Sequence, residues 1–70
     1  MEDISEFEKG QFVKSYSNMV YEIMDYKYEI GKRKMNIVAS ICRNIKTNEA
    51  CEVTHGKNRH FELYNEKAAD

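Results

Sequence analysis

Proline is absent from this 70-residue chain, cysteine occurs twice, glycine three times, and no uncharged apolar run approaches the ~20 residues that cross a bilayer. The missing proline argues against a linker, a disordered segment or a sandwich with many turns, and favours a compact helical domain. Two cysteines make no disulfide framework, so both thiols are expected reduced. The opening MEDISEFEKG is acidic where a secretory signal carries bases ahead of an apolar stretch. These absences together predict an intracellular protein, nuclear in a eukaryotic cell, with no membrane partner. A domain of this size buries only about 60% of its unfolded surface, too little core for a walled active site. No enzymatic activity, cofactor or small-molecule substrate is expected.

What is present is charge, and it is unevenly placed. The net charge is −1. Residues 1–30 nevertheless hold seven acids against three lysines, whereas 31–60 hold seven lysines or arginines against two glutamates. Residues 61–70 return to three acids and one lysine. A basic middle on a near-neutral chain suits a nucleic-acid contact, since the local field matters more than the total; it also suits an ordinary solvated face.

Spacing of apolar residues predicts helices. Asp3 or Ser5 can cap the first, each with a glutamate three residues on. Phe12, Tyr16, Met19, Val20, Ile23 and Met24 recur three or four apart and read as a core stripe. Ser17 or Asn18 can cap a second helix; alternatively one helix runs unbroken to Ile30. Gly31 is the clearest punctuation, able to end a helix in a left-handed conformation. Beyond it, Val38, Ile41, Cys42 and Ile45 fall on one side of a third helix, with Ile37 on the flank. The other side carries Arg33, Asn36, Ser40, Arg43 and Thr47 and no carboxylate. Lys32, Arg33 and Lys34 crowd its N-terminal end, where a helix favours anions. Such a face fits a DNA major groove, with arginine and asparagine reaching bases and lysine, serine and threonine holding phosphates.

The order of three segments resembles the N-terminal helix-turn-helix region of mariner-type cut-and-paste transposases. SEFEKGQFV is similar to that region's opening, MNIVASICRNIKTNEACEV to its recognition helix and exit, and HGKNRHFELYNEKA to the basic segment that follows. The resemblance implies an all-α, three-helix helix-turn-helix domain over 1–50, then a basic exit segment and irregular tail over 51–70. It implies a DNA-binding module without the catalytic domain, a remnant or repressor. Its contacts with double-stranded DNA would come from Lys32, Arg33, Lys34, Asn36, Ser40, Arg43, Lys46, Thr47, Lys57, Arg59 and His60. The chain departs from the family in lacking the usual glycine near Ser17 and the proline expected between Gly56 and Arg59.

Cys42, Cys51, His55 and His60 are the candidate metal ligands. Eight residues separate the two cysteines, against two to four in metal fingers, so no metal site is expected. A second function class stays open at this point: a small helical interaction protein, a two-helix hairpin that pairs with a partner or with its own copy through the methionine and tyrosine stripe.

Overall fold

Two antiparallel strands dominate the computed structural model, which describes residues 1–65: β2 (Val20–Ile30) and β3 (Met35–Asn44). They are joined by β1 (Phe12–Ser15), β4 (Ala50–Thr54) and β5 (Phe61–Leu63) in one five-stranded sheet of order β4-β3-β2-β1-β5. Every pairing is antiparallel. Among the described residues the only helical element is a single 3₁₀ turn, Ile4–Glu6. This overturns the all-α expectation in both its forms, the three-helix helix-turn-helix and the two-helix hairpin. Residues 61–63 of the expected irregular tail are strand β5, and residues 66–70 lie outside the described part.

The physical reason lies in the two middle segments. Tyr26, Tyr28 and Ile30 alternate with Lys27 and Glu29, a period of two that a three-or-four stripe conceals. Valine, isoleucine and tyrosine are also residues that suit a pleated, half-buried surface better than a helix. The four residues expected on the inner side of the third helix are dispersed: Cys42 is buried, Val38 and Ile41 are half-buried and Ile45 is exposed. The core is instead Ile4, Phe7, Val13, Ile23, Cys42 and Phe61, with Tyr21, Tyr26 and Val53 packed against it.

Tight turns take over the expected helix boundaries. Asn18 sits at φ 65° in the β1–β2 turn, closed by the Ser15 N–H donating to the Met19 carbonyl at 2.8 Å. Asn48, at φ 64°, does the same for the β3–β4 turn, where the Asn44 carboxamide oxygen accepts the Lys46 and Thr47 amides at 2.9 and 3.2 Å. Asparagine is among the few side chains that visit this region readily. Gly31, expected to end a helix, opens the β2–β3 turn. A Cβ there would lie 3.1 Å from both the Lys34 carbonyl and Asn36 Nδ2, so its requirement is space.

The β2–β3 ladder carries two irregularities, between Ile23 and Asp25 and between Lys27 and Tyr28. The first leaves an extra residue on β2 (Met24) and the second an extra one on β3 (Val38). The two cancel, so the pairing of Ile30 with Met35 has the phase of Ile23 with Cys42. The N-terminal segment then covers one face of the sheet. Ile4 and Phe7 enter the core, and the Lys9 amide donates to the Tyr26 hydroxyl at 2.7 Å. Buried Asp3 ties this cover to the β4–β5 connection: its carboxylate accepts the amides of Ser5, Gly56 and Asn58 at 3.0, 3.0 and 3.1 Å. Burial works to raise its pKa, but the hydrogen bonds from Ser5, Gly56 and Asn58 outweigh it and hold the carboxyl well below the usual range.

Candidate nucleic-acid interface at the ribbon tip

Backbone pairing along the outer edge of β2 ends at Ile23, bonded by Gly10 and Gln11, and along the outer edge of β3 at Val38, bonded by His55. The distal parts of β2 and β3 therefore extend as a two-stranded ribbon with both edges unpaired, and the molecule measures 46 × 23 × 18 Å along its principal axes. Cross-strand partners share a face. Tyr28 pairs with Ile37 and Ile30 with Met35, so these four lie on one face, continuous with core-facing Tyr26. The N-terminal cover reaches Tyr26 through Lys9, and the four residues beyond it are 48, 44, 84 and 60% exposed. Lys32, Arg33 and Lys34, all exposed, form the turn at the ribbon's end.

The residues expected to share one reading face are not brought together. Lys32, Arg33 and Lys34 stand at one end of β3. Lys46 and Thr47 stand in the turn at the other, on the order of 30 Å away at ~3.3 Å per residue. Asn36 is exposed on the ribbon, opposite Glu29. Ser40 is fully buried, its hydroxyl 2.7 Å from His55 Nε2. Arg43 is engaged by Glu22 at 2.7 Å and by the Asn48 carboxamide oxygen at 3.0 Å. In the connection from β4 to β5, Arg59 lines a shallow cleft with Glu2, Asp3 and Glu6. His60 meets the Tyr16 ring edge-on at 5.1 Å, and exposed Lys57 lies between Gly56 and Asn58, whose amides Asp3 holds.

Charge pairing sorts these cations further. Lys9, Lys14, Lys27 and Arg43 form ion pairs with Asp25, Glu62, Glu52 and Glu22. Lys32, Arg33, Lys34, Lys46, Lys57 and Arg59 form none among the described residues, and only the first three are contiguous. Sequence reasoning found this triplet but missed the apolar face behind it; the alternation Tyr26, Tyr28, Ile30 was the available signal. Among the described residues no three of histidine, cysteine, aspartate and glutamate converge as a metal site, and no helix is long and apolar enough to cross a membrane.

No family model, curated protein or solved structure matches the chain.

Proposed function

We propose that the chain is a nucleic-acid-binding module whose contact element is the β2–β3 ribbon. The observation that carries this reading is the Lys32-Arg33-Lys34 turn, three adjacent cations with no carboxylate partner among the described residues, at the end of an unpaired ribbon. Such a turn matches a phosphate backbone, where each neutralised phosphate releases a counterion. Ile30 and Met35, the exposed pair flanking the turn, are side chains of the kind that wedge between base steps once cations have seated the ribbon in a groove. A two-stranded ribbon is also narrow enough for a groove of duplex DNA.

Fluorescence anisotropy with a mixed-sequence duplex, repeated at several salt concentrations, tests the reading. Three phosphate contacts give a slope of log affinity against log salt of about −2 to −3. Replacing Lys32, Arg33 and Lys34 together with alanine should abolish that dependence, while Lys46→Ala, at the opposite end, should leave it intact. A wild-type protein without salt-dependent binding, or a Lys46→Ala loss equal to that of the triple variant, would overturn the proposal.

One observation favours a second reading, pairing with a second copy. The exposed parts of Tyr28, Ile30, Met35 and Ile37 amount to roughly 400–500 Å², about half of the ~800 Å² that each partner of a stable pair buries. Self-association through this face would be weak and concentration-dependent. Sedimentation equilibrium decides it: Ile30→Lys must remove any dimer that the wild type forms.

A further inference from the structure

Cys42 and Cys51 stand nine positions apart in sequence, but β3 and β4 bring them directly opposite each other as register partners. The phase of the ladder fixes their separation. The Asn44 amide donates to the Glu49 carbonyl at 2.8 Å and the His55 amide to the Val38 carbonyl at 2.9 Å. Hydrogen-bonded sites therefore alternate along β3 through 38, 40, 42 and 44. In an antiparallel ladder the two Cα atoms at such a site are about 5.5 Å apart, inside the ~4.4–6.8 Å range that a disulfide spans. Direct partners also point to the same face. Cys42 is fully buried in the core, and Cys51 is exposed. One thiol thus meets solvent, and the other waits behind it.

We infer that Cys42 and Cys51 form an oxidation-sensitive dithiol that closes to a cross-strand disulfide, fastening the edge strand β4 to β3. The oxidant is the disulfide of a small thiol. The Cys51 thiolate attacks one of its sulfurs and expels the first small thiol, leaving a mixed disulfide on Cys51. Cys42 then gives up its proton to solvent and attacks the Cys51 sulfur, expelling the second small thiol. Two protein S–H groups become one S–S bond, and the reagent's S–S bond becomes two S–H groups, taking up the two electrons. The attack order follows exposure. Burial pushes the Cys42 thiol up to about 12, with the Cys51 sulfur adding to the effect, and burial also raises Cys51. The exchange is therefore slow at neutral pH and accelerates as pH rises.

β4 is the strand with most to gain. It is short, mostly exposed and paired on one side only, with Lys27–Glu52 as its ion pair to β2 across the intervening strand at 3.1 Å. A staple closing so short a loop removes freedom from the unfolded chain, and closure draws the two Cβ atoms together by about 1 Å from the spacing of a hydrogen-bonded site.

The test treats the full chain with oxidised glutathione at pH 7 and pH 8.5, followed by intact mass and thermal melting. The inference expects loss of two hydrogens without a lasting adduct, faster closure at pH 8.5, and a Tm raised by about 10 °C that reverts on reduction. Cys51→Ser should block both mass and Tm changes. Cys42→Ser should trap a glutathione adduct on Cys51, and Cys42→Ala replaces it should the serine variant fail to fold. A persistent adduct on the wild type, a disulfide between two chains on a non-reducing gel, or a lowered Tm would each overturn the inference.

Discussion

Removing the Asp3 carboxylate should both weaken the fold and flatten its response to acid. Oδ2 accepts the Ser5 and Gly56 amides and Oδ1 the Asn58 amide. Asp3→Ala leaves three donors unanswered, two of them in the connection that closes the sheet over its core. Each buried donor left without a partner costs about 1–3 kcal/mol. Ser5 and Gly56 are exposed and Asn58 half-buried, so water offsets part of this and a loss of about 2 kcal/mol is expected. A chain of this length has about 4–10 kcal/mol in total, and a drop of this size lowers Tm by roughly 10 °C or more. Asp3→Asn separates geometry from charge. Its one carboxamide oxygen can keep the Ser5 and Gly56 amides, but its NH₂ then opposes the Asn58 N–H, placing the loss between wild type and alanine. The pH dependence follows from the lowered carboxyl pKa. A group held lower in the folded state than in the unfolded one stabilises fully above its unfolded value and loses that contribution as pH falls through the folded value. Wild type should therefore weaken from about pH 5 downward, and Asp3→Asn should show a shallower decline. Urea melts at pH 7, 5, 4 and 3 measure it. An unchanged acid slope in Asp3→Asn, or an alanine variant as stable as wild type, would refute the clamp.

Two further substitutions test the sheet itself. Ile23 is fully buried, so Ile23→Ala should cost about 2–5 kcal/mol; half-buried Ile41, central to the helical reading, should cost markedly less, and a reversed order in urea melts would contradict the strand register. Asn48 holds φ 64°, so Asn48→Ala should lose about 1 kcal/mol whereas Asn48→Gly should stay within about 0.5 kcal/mol, read from paired thermal melts.

Local chemistry was legible where it did not depend on the period of the chain. Asp3 was readable as a cap, and its side chain does accept the Ser5 amide at the start of a helical turn. What could not be read was that the helix lasts three residues and that the same carboxylate reaches Gly56 and Asn58, more than fifty positions away. Period-dependent readings failed together. Residues two apart lie on nearly opposite sides of a helix but on the same side of a strand. Ser40 was placed opposite Cys42 for that reason, and the sheet puts both inside. The pairing of Cys42 with Cys51 escaped for the same cause, because a helix has no register partner.

The charge division, by contrast, carries over to the sheet and explains where the candidate interface lies. In the sheet, opposite charges on neighbouring strands neutralise each other. Glu22 meets its register partner Arg43 in this way. Lys27 finds Glu52 two strands over, and Asp25 holds Lys9 on its other side. This cancellation needs an oppositely charged side chain on an adjoining segment. It fails at the turn, since residues 31–34 have no cross-strand partner. Lys32, Arg33 and Lys34 therefore remain uncompensated because of their position in the topology, and not merely because three cations are adjacent. A contiguous triplet stays together under any fold, whereas Asn36, Ser40, Arg43 and Thr47 shared a face only if the segment was helical. The same hairpin that neutralises Arg43 and buries Ser40 carries the triplet to the one end of the ribbon where an external polyanion can supply the missing charge.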